Sequence, residues 1–379
     1  DFFKGRKLGD RKLEPRIAGH FGPAHVFENP LNKGKTEVSG KHVNTTARME
    51  PVTRPGEIFV TEAFKNAYES ILTHLATRIL MESLVRLIDL PTNIQVYLVI
   101  DIVIALLLLL VIRLLSGLPK DISVSQELGE KDNFAFGISL SGRMLALCLV
   151  LSAVVGRHIG LGFEYAALST TIFGIIGIIL IKVGRFGHDK LVLHLVNKED
   201  AIQARNTSVA LVDASSAIAF AIIIYSMINW VEGTDSNAIV GILSGFVVVM
   251  AIMLLTTRLY EIRFARNNQN DSFQGMLRKD NFALAIQHSG NLIATAIVVS
   301  IAGSILQYQA NTYVSNLTGW LFCGVAASVT YTVIVSLAKR IVLYGINWKE
   351  EVDLQGNVGL ACIEWVLSVG IALIALGLV

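Results

Sequence analysis

Lys131-Asp132-Asn133-Phe134-Ala135 recurs further along the chain as Lys279-Asp280-Asn281-Phe282-Ala283. At that same offset Ser141-Gly142 falls on Ser289-Gly290, Ala146 on Ala294 and Ser152 on Ser300, and 11 of the 25 positions from 131 to 155 are identical. Composition alone does not produce such agreement in apolar sequence. Fainter copies open at Asn206 and Asn357, so four asparagines recur at nearly equal intervals along the chain. Each opens an apolar stretch and follows a polar loop. The unit is a helix, a polar loop, an Asn and a second helix, repeated four times. Units one and three match best, which predicts two tandem membrane domains, 95–231 and 232–379, of two units each.

Around these anchors lie eight stretches long enough to cross a hydrocarbon core, which takes about 20 apolar residues. They run over 95–115, 134–156, 164–183, 207–231, 237–258, 282–305, 317–338 and 358–379. Lipid offers no partner to loose backbone groups, so each must be a helix. β-branched runs such as Ile175-Ile176 and Val247-Val248-Val249 would favour strands in water; here span length overrides propensity.

The whole chain agrees: of 379 residues 53% are hydrophobic and 16% charged, with mean hydropathy +0.57. The average hides a division. Residues 1–94 hold 25 charged side chains and all but one of the seven prolines, whereas the far longer stretch 95–379 holds only 37 charges. A net charge of +2 is too small to argue for nucleic acid and no basic-aromatic patch appears, so no nucleic-acid partner is expected. Cys148, Cys323 and Cys362 all fall in apolar spans, giving neither a disulfide framework nor metal-ligand spacing. The expected partner is the lipid bilayer, with homo-oligomer formation left open.

Loop charge sets an expected orientation. The four loops inside the units hold 16 Lys and Arg, while the three between units hold only Arg157. The within-unit loops are therefore expected in the cytoplasm, with both ends of the membrane part outside.

Asn133, Asn206, Asn281 and Asn357 are expected to cap their helices by accepting from free backbone N–H groups. Seven residues on, about 10 Å deeper and on the same face, stand Leu140, Asp213, His288 and Glu364. Three of four equivalent positions are thus ionisable within the bilayer. Arg143 follows near mid-span, and Asp101 lies in the first span. Intramembrane charge is costly and usually paired or cavity-lining. One reading is a polar, ion- or proton-handling path lined by Asp213, His288, Glu364, Arg143 and Asp101. The other is that Arg143 pairs with Asp213 or Glu364 and only fixes helix register.

Two-helix units opening on an Asn-x-Ala-like start resemble the bacterial inner-membrane family called domain of unknown function 350. The resemblance spans about 82–379 and is best at Asn133 and Asn281; Ser208 and Gly359 replace the Ala in the other two units. It implies residence in the bacterial cytoplasmic membrane and brings no catalytic residues.

Residues 14–64 carry three further pieces in order: Arg16-Ile-Ala-Gly-His-Phe-Gly-Pro23, Gly40-Lys-His-Val-Asn-Thr-Thr-Ala-Arg-Met-Glu50 and Arg54-Pro-Gly-Glu-Ile-Phe-Val-Thr-Glu62. They read as a strand into a Gly-Pro turn, a helix with Asn44 and Arg48 on one face, and a Pro-Gly turn into a strand. Together they resemble the second half of a class III adenylate/guanylate cyclase domain. That resemblance implies a partial α/β, ferredoxin-like head over 1–70, with a linker over 71–94. It implies that Asn44 orients a ribose, Arg48 stabilises a transition-state phosphate and Glu37 reads a base. The family's metal-binding aspartates and base-reading lysine would precede this segment, and the chain begins at Asp1. The head is therefore expected to be a truncated remnant without cofactor, needing a complementary half to use Mg with ATP or GTP. Met81 is expected as a separate start for the membrane part.

Three functions are open at this level: a transport- or channel-like membrane protein, a membrane-tethered cyclase in cyclic-nucleotide signalling, or a scaffold. The first is preferred, and the chain as it stands is not expected to be an enzyme.

Overall fold

The structure, a computed structural model, describes residues 58–84, 92–117, 122–231, 236–269 and 272–379, with the backbone of five short strands before residue 58. The chain forms two compact units, Asp1–Leu90 and Pro91–Val379.

In the first unit the strands are β1 (Lys7–Leu8), β2 (Arg11–Lys12), β3 (Ile17–Gly19), β4 (His25–Glu28), β5 (Thr36–Ser39) and β6 (Ile58–Val60). β1 pairs with β2 and β4 with β5 antiparallel, while β3 runs parallel to β6. These are three separate two-stranded ladders. The ferredoxin-like sheet expected of the head is not formed among the described residues, and ladders this short lack the three strands and shared apolar face of an independent sheet. Glu37 lies on β5 opposite Phe27. The helix expected to carry Asn44 and Arg48 falls outside the described residues. α1 (Glu62–Leu84) fills much of the stretch expected as a linker and contains Met81.

The second unit is helical. Among the described residues it has eight long apolar helices, α2 (Ile94–Gly117), α3 (Phe134–His158), α4 (Phe163–Leu191), α6 (Thr207–Trp230), α7 (Ser236–Asn267), α9 (Phe282–Ile305), α10 (Tyr313–Val342) and α12 (Val358–Leu376). Short helices α5 (Lys198–Gln203), α8 (Phe273–Arg278) and α11 (Trp348–Asp353) precede the last three Asn positions, and a one-turn π-helix, Gln126–Glu130, precedes the first. All eight expected spans are present. Two of the first helices of their units run on past the expected ends: α4 continues to Leu191 and α7 to Asn267. Hydropathy registers only the apolar part of a helix, and these extensions are amphipathic.

Every unit closes its loop by one device. The residue before each Asn is in the left-handed region: Asp132 (φ 47°), Arg205 (φ 65°), Asp280 (φ 60°) and Gly356 (φ 69°). It reverses the chain so that the Asn side chain faces the next helix. There it accepts from Phe136 N, Val209 N, Leu284 N and Leu360 N at 3.1, 2.8, 3.1 and 3.1 Å. The expected caps are all made.

The same amides also join units. Asn133 Nδ2 donates to Ile202 O (3.1 Å), Asn206 Nδ2 to Leu277 O (2.9 Å) and Asn281 Nδ2 to Asp353 O (3.1 Å), each at the end of the following unit's short helix. Asn357, in the last unit, turns instead to its own Glu351 (3.1 Å). Asn133 adds a bond to Glu127, whose carboxyl Lys131 holds below the usual range against the opposing effect of burial. At the other membrane face Arg157 donates to Ile228 O and Val231 O, and Trp230 Nε1 to Leu306 O. Arg157 and Trp230 stand equally far past the Asn of their own unit, so this contact repeats too.

Helices α3, α6, α9 and α12 therefore stand in a row, each packed most extensively on the next. Gly142 permits the closest approach: a Cβ there would lie 2.3 Å from Ala214 Cβ. At Gly290, its equivalent, a Cβ would lie 2.8 Å from Trp365 Cδ1. α6 and α9, mid-row, are 78% and 72% buried, against 17% for the lipid-facing α2.

Candidate functional site: two carboxylate cavities

Asp213 and Glu364, seven residues past their caps, are each 1% exposed and stand in matching surroundings. Asp213 Oδ1 accepts from Arg185 Nε (3.0 Å) and Nη2 (2.6 Å), and Lys198 Nζ is 2.9 Å away. Its Oδ2 accepts from Ser139 Oγ at 2.6 Å. Glu364 Oε2 accepts from Gln287 Nε2, and Lys339 Nζ stands 3.2 Å from Oε1. Ser139 and Gln287 are equivalent, six past Asn133 and Asn281. Arg185 and Lys339 each come from the first long helix of the carboxylate's own unit. One design thus appears twice: a carboxylate, a donor from the preceding unit and a cation from the same unit.

The cations that hold Asp213 line one cavity, and Glu364 lines another. The first, about 260 Å³, lies among α2, α3, α4 and α5. It is lined by Arg143, Lys182, Arg185, Lys198, Asp189 and Glu199 against an apolar wall that includes Ile112, Leu115 and Phe136. Asp213 stands behind Arg185 and Lys198, and Lys198 also bonds Asp189. The second cavity, about 350 Å³, lies among α7, α9, α10, α11 and α12. Its charged lining is Arg263, Lys339, Arg340, Lys349, Asp353 and Glu364. Tyr260 Oη donates to Gln287 Oε1, extending the bonded chain from Glu364 into α7.

His288 also lines the second cavity but is not bonded to Glu364. Its ring lies in a box made by Phe273, Tyr260 and His188, with centroids 4.7, 5.2 and 6.1 Å away. Both His188 and His288 are buried, and among the described residues neither ring nitrogen of either has a hydrogen-bond partner.

The expected single path is therefore two cavities with a histidine box between them. Arg143 does not ion-pair with Asp213 or Glu364. It donates to Ser139 O (3.1 Å) and Ser139 Oγ (3.2 Å) on its own helix, leaving Asp213 to Arg185 and Lys198. Asp101 belongs elsewhere, near the opposite membrane face. There it accepts from Thr170 Oγ1 at 2.7 Å and meets His158 Nε2 at 3.1 Å. Seven residues into α2, which starts at that face, Asp101 is far from the caps.

Sequence reading did not find Arg185, Lys198 and Lys339, which it counted among loop charges. A signal did exist: Arg185 and Lys339 stand at similar distances before Asp213 and Glu364, in equivalent helices.

Eight apolar helices in four capped, interlocked pairs define a multi-pass membrane protein of repeated two-helix units. The sequence pattern of the family described as Domain of Unknown Function (DUF350) matches the chain twice, over residues 80–228 and 234–379. The chain belongs to that family. No curated protein and no solved structure matches it. Residues 14–64 lie outside both family matches, and the expected cyclase segment gains no support from any comparison.

Proposed function

We propose that the protein is a transport-like protein of the bacterial inner membrane, in which Asp213 and Glu364 handle a charged solute. The basic within-unit loops then lie in the cytoplasm and both cavities open toward it. The observation that carries this reading is the duplication of a carboxylate–cation site beside a cavity. A charge pair that served register alone would be better replaced by packed apolar residues. Ionisable groups kept within spans mark solute and ion pathways. The two family matches, each covering two units, support a history in which a two-unit membrane domain was doubled.

Reconstitution in liposomes tests this, with influx of protons, sodium, chloride or inorganic phosphate followed by a trapped fluorescent indicator. The wild-type chain should pass at least one of these above empty vesicles, and Asp213→Asn and Glu364→Gln should each reduce that flux at least tenfold. Flux unchanged in both variants, or none from the wild type, would return these residues to a structural role.

A further inference from the structure

The first cavity holds a charge imbalance that the ion pairs do not consume. Of its four cations, Arg185 and Lys198 are engaged by Asp213 and Asp189. Arg143 and Lys182 remain, with Glu199 as the only other acidic lining residue among the described residues. Arg143 sits well inside α3, and among the described residues no carboxylate oxygen lies within ion-pair distance of it. A guanidinium carries five N–H donors; two bond Ser139, and the side chain that bears the others lines the cavity. At the equivalent position the second half of the protein has Asn291, so the cation belongs to this cavity and not to the shared framework.

The opposite wall is apolar. Ile112 and Leu115 come from α2, and Ile178, Ile181 and Phe186 from α4. α2 is the least buried of the eight long helices, so this wall adjoins lipid. A small hydrated cation would meet net positive charge here, and a fully apolar ligand would leave Arg143 unmet. The site suits a compact anion that can carry an apolar tail. Phosphate oxygens match the donor fork of a guanidinium, which binds them in pairs.

We infer that the cavity among α2, α3 and α4 is a phosphate-binding site, with Arg143 as the receiving group and Lys182 at its rim. The phosphate belongs to a lipid headgroup whose chains lie along Ile112 and Leu115, or to free phosphate. The inference gives the solute class of one of the two cavities and rests on that cavity being a ligand site.

The test uses the full chain purified in detergent, titrated with dihexanoyl phosphatidic acid, inorganic phosphate and neutral dihexanoylglycerol, with native mass spectrometry as readout. Phosphatidic acid should bind at least tenfold more tightly than dihexanoylglycerol. Arg143→Gln should lose at least tenfold in that affinity at an unchanged thermal midpoint, whereas Arg113→Gln, outside the cavity, should bind as the wild type does. Competition by inorganic phosphate assigns the free anion as the source, and absence of competition assigns the lipid; both keep the site. Equal binding of the acid and the neutral lipid, or unchanged affinity in folded Arg143→Gln, overturns it. The first comparison needs no variant and decides the matter if Arg143→Gln fails to fold. Binding kept while wild-type flux is absent overturns the transport reading alone, and flux kept without binding overturns this inference alone.

Discussion

Asp213 and Glu364 share one register but meet burial differently. Asp213 has two cations and a hydroxyl donor within bonding distance, whereas Glu364 has one cation and an amide. Both acids were legible in the sequence, because counting seven residues from each Asn aligns them. Their basic partners were not, because Arg185 and Lys339 lie where the apolar runs end and helix continuation decides which way they point. A third acid, Asp353, closes α11 outside the spans. Burial pushes its carboxyl up to about 6; the bond from Asn268 Nδ2 opposes this and the charge of Glu364 adds to it. An acid whose pKa is higher in the folded than in the unfolded chain stabilises the fold while protonated. That stability is complete below the unfolded value of 3.8 and is lost as pH rises through about 6. Thermal unfolding between about pH 4 and pH 7 should show Asp353→Asn with a flatter profile than the wild type, the difference being of the order of 2–3 kcal/mol. Identical profiles would remove Asp353 from the pH response.

At the scale of elements, the recurring device is a short helix, a left-handed residue and an Asn that serves two units. The caps could be read from sequence, since Asn before an apolar run is an N-terminal signal. The bonds between units could not, because only the folded row brings Ile202, Leu277 and Asp353 to the preceding unit's amide. The left-handed position was equally silent, being filled by Asp, Arg, Asp and Gly in turn. The two roles separate by mutation. Asn206→Ala and Asn281→Ala lose a cap, about 1 kcal/mol, and a bond to the next unit, about 0.5–1.5 kcal/mol more. Asn357→Ala loses the cap and an exposed bond to Glu351, so denaturant unfolding in detergent should find it the mildest of the three. Equal losses would mean that the bonds between units add nothing.

For the whole molecule, the eight spans and the fourfold repeat were legible because both are patterns of spacing. The head was not: the order of its three motif pieces suggested one sheet, while the described strands pair only two by two. The cytoplasmic placement proposed for the Asn loops rests on loop charge alone, and labelling checks it. With Cys148, Cys323 and Cys362 replaced by Ala, Asp200→Cys should react with an impermeant maleimide only in opened cells, and Ala310→Cys in intact ones. The reverse pattern would invert the topology. The common register of the carboxylates has an electrical consequence. They sit about 10 Å from one end of their helices, in a core about 30 Å thick. A full crossing by one charge involves about 2.3 kcal/mol per 100 mV, so reaching these groups from the loop side takes about a third of that. About two thirds of the membrane voltage therefore falls between Asp213 and Glu364 and the opposite face, near which Asp101 and His158 lie, and the strongest voltage dependence belongs to whatever opens that stretch.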